Sequence, residues 1–216
     1  MKELTKIILI IGSIPVLIAA LYALRTYKQV NERLKLFYWF LFLSCIIEIG
    51  STLLWFLKKN NLPLLHIYVA GGFIIMGLFY KKTLSSFIKP KIFNLIILLF
   101  TAFTLINTLF FQKILTFNTY ALTTESILLI IFSLCWFVFS MNGLETTTKN
   151  SDAVSINWIN SGILVYYTSS VLIFYYEDII SHFSVLMSRY AWIGHTFFSV
   201  TMYTCFFIAI WKRPKN

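Results

Sequence analysis

The chain has 216 residues, of which 59% are hydrophobic, 19% aromatic and only 12% charged, with a formal net charge of +10. Soluble domains carry about 25% charged residues, so this composition excludes a water-soluble globular fold and points to an integral membrane protein. The positive charge would suggest nucleic acid in a soluble domain; here most Lys and Arg fall in short segments between apolar runs, where they set topology, and no nucleic-acid partner is expected.

Seven apolar stretches follow one another, approximately Ile7 to Leu24, Phe37 to Leu57, Leu62 to Phe79, Ile92 to Phe111, Tyr120 to Met141, Ile156 to Tyr176 and Tyr190 to Trp211. Each is near the roughly 20 residues a helix needs to cross a hydrocarbon core of about 30 Å. The expected fold is all-α, a single seven-helix transmembrane bundle over residues 1–216. The longest connection runs from Asn142 to Ser155, no soluble domain is expected at either end, and no internal repeat or low-complexity linker is visible. Cys45, Cys135 and Cys205 all lie inside apolar runs, which leaves the loops without a thiol for a disulfide or a CxxC metal pair.

Orientation follows from alternate connections. After the first, third, fifth and seventh stretches stand Arg25, Lys28, Arg33, Lys35, Lys81, Lys82, Lys89, Lys91, Lys149, Lys212, Arg213 and Lys215, twelve of the eighteen basic residues. The other side holds Lys2, Lys6, Lys58, Lys59, Lys113 and Arg189. The positive-inside rule then puts the amino terminus outside and the carboxyl terminus in the cytoplasm of a multi-pass plasma (inner) membrane protein. A cleaved signal peptide over the first 23 residues would put the Arg25 to Lys35 loop outside and shows no A-x-A site, so the first stretch is read as a span.

Polar residues inside the spans then mark depth. Glu48 sits near the middle of Phe37 to Leu57, where a carboxyl must face protein, water or a partner, and Ser44, Glu48, Ser51 and Trp55 share one helical face. In the last stretch Ser188, Trp192, His195, Ser199 and Tyr203 do the same. Similar stripes are Glu125, Leu129, Ser133, Trp136 and Ser140 in the fifth, Trp158, Gly162, Tyr166 and Ser169 in the sixth, and His66, Ala70, Phe73 and Gly77 in the third. On the inferred orientation His66, Glu125 and His195 lie near the outer end. The expectation is one outward-facing cavity into which these stripes converge, with Glu48, His66, Glu125, Tyr166, Trp192, His195 and Ser199 as ligand-binding residues. The competing reading of each is structural: Ser, Thr and Tyr join helices, and many Trp and Tyr form interfacial belts. Pro63 is expected in the first turn of the third helix and Pro15 as a tolerated proline within the first.

Known chemistries narrow the function. A microbial-rhodopsin type of retinal protein needs a lysine within the last helix, and Tyr190 to Trp211 has none. There is no HExxH, and His182 falls in a loop; His66 and His195 with Glu48 and Glu125 would be the one four-ligand metal set at membrane depth. No catalytic residue, metal or cofactor is assigned. Matched broken helices of a transporter are missing. What remains first is a sensor or receptor-like protein that binds a small or lipidic ligand and passes a helix shift to a separate cytoplasmic or membrane protein, with membrane lipid as its surroundings. The alternatives are an intramembrane enzyme acting on lipid, with Glu48 or Glu125 as general acid or base, and a structural or assembly subunit.

Three segments carry a resemblance: NNLPLLHIY at Asn60 to Tyr68 followed by FYKKTL, then NWINSGILVYYTSSVLIFYY, then WIGHTFF from Trp192. Together they resemble a family of uncharacterised bacterial seven-helix membrane proteins whose members are often encoded beside sensor histidine kinases. That resemblance implies a seven-helix fold and a sensory role, and it implies no ligand and no catalytic residue.

Overall fold

A computed structural model of the protein describes residues 2–142 and 152–213. Its described residues are helical throughout, in the order α1 (Lys2–Thr26), a 3₁₀ turn (Tyr27–Gln29), α2 (Glu32–Phe56), α3 (Leu62–Thr83), α4 (Pro90–Ile106) with a π turn (Asn107–Phe111), α5 (Thr119–Met141), α6 (Ala153–Tyr175), α7 (Glu177–Phe183) and α8 (Val185–Trp211). Most of the connection from Asn142 to Ser155, with Lys149, lies outside the described residues, as does Lys215.

Helix ends follow from local chemistry. Asn31 opens α2 by accepting from the backbone N–H of Arg33 and Leu34, and Ser184 opens α8 by accepting from Leu186 and Met187. Pro63 and Pro90 occupy first turns, where a missing N–H costs nothing. α2 ends with Lys58 in the left-handed region at φ 56°, where the N–H of Lys59 reaches the Leu54 carbonyl and that of Lys58 reaches Trp55. This is a Schellman closure built without glycine.

Among the described residues six helices are long and apolar enough to cross a membrane: α1, α2, α3, α4 with its π turn, α5 and α8. α6 and α7 form a further apolar pair bent by 60°. The sixth expected span is therefore less uniform than the others. Its polar residues explain why: Asn157 and Asn160 on α6 bond inside the bundle rather than meeting lipid. Two boundaries are corrected. His182 stands in α7 and not in a loop, and α8 starts at Val185, five residues before the expected Tyr190, because Ser184 caps it.

Each helix packs on the next around a closed ring of α1, α2, α3, α5, α6 and α8, with α4 laid against α3. Phe93 of α4 also reaches Phe132 of α5, their rings 5.2 Å apart. The centre is aromatic. Phe206 of α8 meets Phe37 and Phe40 of α2 at 5.0 and 6.3 Å between ring centroids, and Phe73 of α3 lies on Phe100 of α4 at 4.0 Å. The outside is apolar too: Leu98, Leu109, Phe110 and Phe197 are all more than 60% exposed. An apolar exterior around an apolar core is what a lipid-facing bundle needs.

A hydrogen-bond network ties the ring together toward its basic end, where Tyr80 stands beside Lys81. The Tyr80 hydroxyl donates to Asn160 Oδ1 at 2.7 Å, Ser133 donates to the Asn160 carbonyl at 2.9 Å, Trp136 donates to Asn157 Oδ1 at 2.8 Å, and Ser155 donates to the Ala209 carbonyl at 2.9 Å. These bonds link α3, α5, α6 and α8, each worth of the order of 1 kcal/mol in a membrane interior. Gly162 allows α6 to approach α8, since a methyl group there would lie 3.0 Å from Cys205 Cβ and 3.1 Å from the Met202 carbonyl.

That approach can be tested against its neighbour. Gly162→Val should overpack the α6 to α8 seam and cost about 1–3 kcal/mol. Gly194→Ala, where a methyl meets nothing within 4 Å, should be neutral or stabilising by up to about 1 kcal/mol. Thermal unfolding of the two variants in one detergent checks both.

Candidate functional site

Opposite the basic ends of the helices the bundle opens into a cavity of about 620 Å³. Six helices of the ring and its flank supply its walls: the first half of α1, the second half of α2, the start of α3, the middle of α6, α7, and α8 from Trp192 to Tyr203. The positions of these halves follow from the up-and-down course of the chain, and the basic residues Arg33, Lys81 and Lys82 gather at the other end.

The α2 stripe enters the cavity as a unit. Ser44, Glu48, Ser51 and Trp55 all line it. From α8 come Trp192, His195, Ser199 and Tyr203, and from α6 comes Tyr166. Of the expected ligand-binding residues, five are thus brought together: Glu48, Tyr166, Trp192, His195 and Ser199. His195 is held by the Tyr166 hydroxyl at 2.9 Å from its Nε2 and stands among rings, with Trp192 at 5.2 Å and Phe174 at 5.4 Å. Ser44 donates to the Phe40 carbonyl at 2.9 Å and reaches the Tyr68 hydroxyl at 3.5 Å. Glu48 makes no hydrogen bond to any described residue and faces the cavity partly buried.

His66 and Glu125 lie elsewhere. The third-helix stripe packs against α4, with Phe73 on Phe100 and Gly77 against Ile97, and His66 continues that seam. Its Nδ1 stands 2.9 Å from the Thr108 hydroxyl and its Nε2 3.1 Å from the Thr116 carbonyl. A carbonyl only accepts, so Nε2 carries a hydrogen and donates to Thr116, while Nδ1 pairs with the Thr108 hydroxyl, which can donate or accept. Both nitrogens are used, and His66 anchors the segment between α4 and α5. That segment is further tied by Asn107, whose amide donates to Gln112 and Asn118 at 2.9 Å each, and by Asn60, which donates to the Leu115 carbonyl at 2.9 Å. Phe117, held on this segment, reaches the cavity and meets Trp192 at 5.7 Å.

Glu125 is fully buried on the α5 face that meets the bundle interior, outside the cavity lining, and neither carboxyl oxygen has a hydrogen-bond partner. The rest of its stripe, Leu129, Ser133 and Trp136, is buried against α6. A two-histidine, two-carboxylate metal set is accordingly not formed, and among the described residues no three His, Cys, Asp or Glu side chains are grouped as metal ligands.

Several lining residues were not expected from the sequence. Tyr68 sits two positions after His66 and so faces away from it, into the cavity, while Asn61 and Glu177 lie just beyond the apolar stretches. Gly12 is packed directly on the Thr196 side chain, which closes the wall between α1 and α8. Helical spacing offered a signal for Tyr68; nothing in the sequence marked Glu177.

No family model matches the chain, and neither a curated protein nor a solved structure shows significant similarity to it.

His66 is expected to act through structure. His66→Phe should leave the Thr116 carbonyl and the Thr108 hydroxyl unpaired, cost about 1–3 kcal/mol, and speed hydrogen exchange over residues 107–118 while sparing α8. Thermal unfolding and exchange mass spectrometry read the two effects.

Proposed function

We propose that the protein is a seven-span membrane sensor or receptor-like protein, amino terminus outside and carboxyl terminus cytoplasmic, that binds a small or lipidic ligand in the cavity and passes the signal to a separate partner. The observation that carries the reading is the cavity itself. Its volume of about 620 Å³ falls in the range of small-molecule sites, and its walls join aromatic surface to a few polar groups. The seventh span is the bent pair α6 and α7, and the orientation rests on the basic residues at the end opposite the cavity. Because α1, α2, α3, α6 and α8 all touch the cavity, an occupant that favours one arrangement of them also biases their other ends. Those ends carry the basic loops a cytoplasmic partner would meet.

One observation favours a second reading. Glu48 and His195 line the same cavity, as the acid and base of an intramembrane enzyme acting on lipid would. Under that reading an added lipid is consumed, whereas under the first it is bound and recovered unchanged.

The test is thermal unfolding of the purified protein in maltoside detergent across a panel of small molecules and lipids, wild type beside Ser199→Trp, which puts an indole into the cavity from its α8 wall. A binder at a hundredfold excess over its Kd stabilises by about 2.7 kcal/mol. Stabilisation of wild type that is lost in Ser199→Trp is the expected result. A panel that moves neither protein would leave a structural or assembly subunit.

A further inference from the structure

The lining of the cavity is chemically one-sided. Among the described side chains two carboxyls, Glu48 and Glu177, reach it, and no Lys or Arg does. Neither carboxyl is engaged in an ion pair with a described residue. Around them stand aromatic side chains from five elements: Trp55, Tyr68, Phe117, Tyr166, Trp192 and Tyr203. Trp192 is fixed edge-on to both Phe117 and His195, at interplanar angles of 69° and 74°.

An anion placed here would meet carboxyls and no cation among the described residues. A neutral apolar ligand would leave Glu48 facing it without a hydrogen bond, a costly arrangement at membrane depth. A metal ion would need several oxygen or nitrogen ligands close together, and no such group of His, Cys, Asp or Glu exists among the described residues. An organic ammonium satisfies both features at once. Ring faces attract a cation through their quadrupole, by about 0.5–2 kcal/mol per ring according to desolvation, and a carboxyl supplies the counter-charge. The space of about 620 Å³ admits the body that carries the charge.

We infer that the ligand of this cavity is a small organic cation, an amine or quaternary ammonium on an apolar or aromatic body, held between Glu48 and the aromatic walls. The inference rests on the reading that the cavity binds a ligand. The same ammonium chemistry occurs on free amines and on lipid headgroups. A headgroup would bring its phosphate into a lining whose described residues include no Lys or Arg, so the free amine is the better fit.

The experiment measures affinity by thermal shift and calorimetry, with the full chain in maltoside detergent, for matched sets that differ in charge. One set pairs choline with 3,3-dimethylbutan-1-ol, which has the same shape without the charge; a second compares 2-phenylethylamine, 2-phenylethanol and phenylacetate; spermidine and methylamines extend the cations. Lysophosphatidylcholine beside free choline separates the two sources. At least one cation should bind at least tenfold more tightly than its neutral partner, phenylacetate should not bind, and Glu48→Gln should weaken the cation at least tenfold while leaving its neutral partner unchanged. Binding of lysophosphatidylcholine without binding of free choline would support the cation and assign it to a headgroup. Neutral or anionic members that bind as well as the cations, or cation affinity unchanged in Glu48→Gln, would overturn the inference and leave the ligand-binding reading standing. If Glu48→Gln does not fold, Ser51→Trp, beside Glu48 in the lining, replaces it: cation binding that survives this substitution also overturns the inference. No binding by any member, neutral lipids included, would overturn both.

Discussion

A carboxyl in the middle of an apolar helix cannot face hydrocarbon, and the arrangement of this protein depends on where Glu48 goes instead. One rotation of α2 satisfies it, and that rotation also turns Ser44, Ser51 and Trp55 into the cavity. The opposite side of α2 then presents Ile46, Ile49 and Leu53, all well exposed, to the surroundings. Further along the helix Phe37 and Phe40 meet Phe206 of α8, so the same rotation sets the depth and angle at which α8 brings Trp192, His195 and Ser199 to the opposite wall.

The molecule divides its polar groups between two kinds of work. In the half toward the basic end, Tyr80, Ser133, Asn157 and Asn160 spend their hydrogen bonds on one another and on backbone, and they hold α3, α5 and α6 together. At the cavity end, Glu48 has no hydrogen-bond partner among described residues, and Tyr166 and His195 are bonded to each other on the wall. At the opposite end Arg213 bonds to Gln29 and to the Ile210 carbonyl, joining the close of α8 to the turn after α1, while Asn31 bonds to Asp152. These links tie the basic end to helices whose other halves line the cavity. Glu125 belongs to neither group: it is buried with both oxygens unpartnered, one of them facing the backbone at Gly72 of α3.

Helical spacing made the α2 and α8 stripes legible, because in a membrane the polar face of a helix must turn inward whatever its neighbours are. Spacing could not say which neighbour an inward face meets. The stripes of His66 and Glu125 do turn inward, yet His66 meets the segment between α4 and α5 while Glu125 lies against Gly72 of α3, with Ser133 and Trp136 of its stripe bonded to α6, so neither residue joins the cavity. Tyr68 was hidden because tyrosines in apolar stretches read as interfacial belt or helix glue, and Glu177 because it stands past the end of its stretch, where a bend of 60° turns α7 across the end of α6. The count of spans was legible to within that same bend. Composition had excluded a soluble fold, and the exposed Leu, Ile and Phe of the bundle exterior agree with it.

Polar residues of α2 and α8 meet in one cavity, and the central proposal is that this cavity is water-accessible and faces outward. Its most direct measurement uses a background in which Cys45, Cys135 and Cys205 are replaced by alanine, with a single cysteine at Ser199 in the cavity wall or at Thr204 on the exposed flank of α8. Intact cells are treated with a membrane-impermeant, cationic methanethiosulfonate. The account predicts rapid modification of Ser199→Cys from outside and little of Thr204→Cys. Modification of Ser199→Cys only after permeabilisation, or no faster than that of Thr204→Cys, would contradict it.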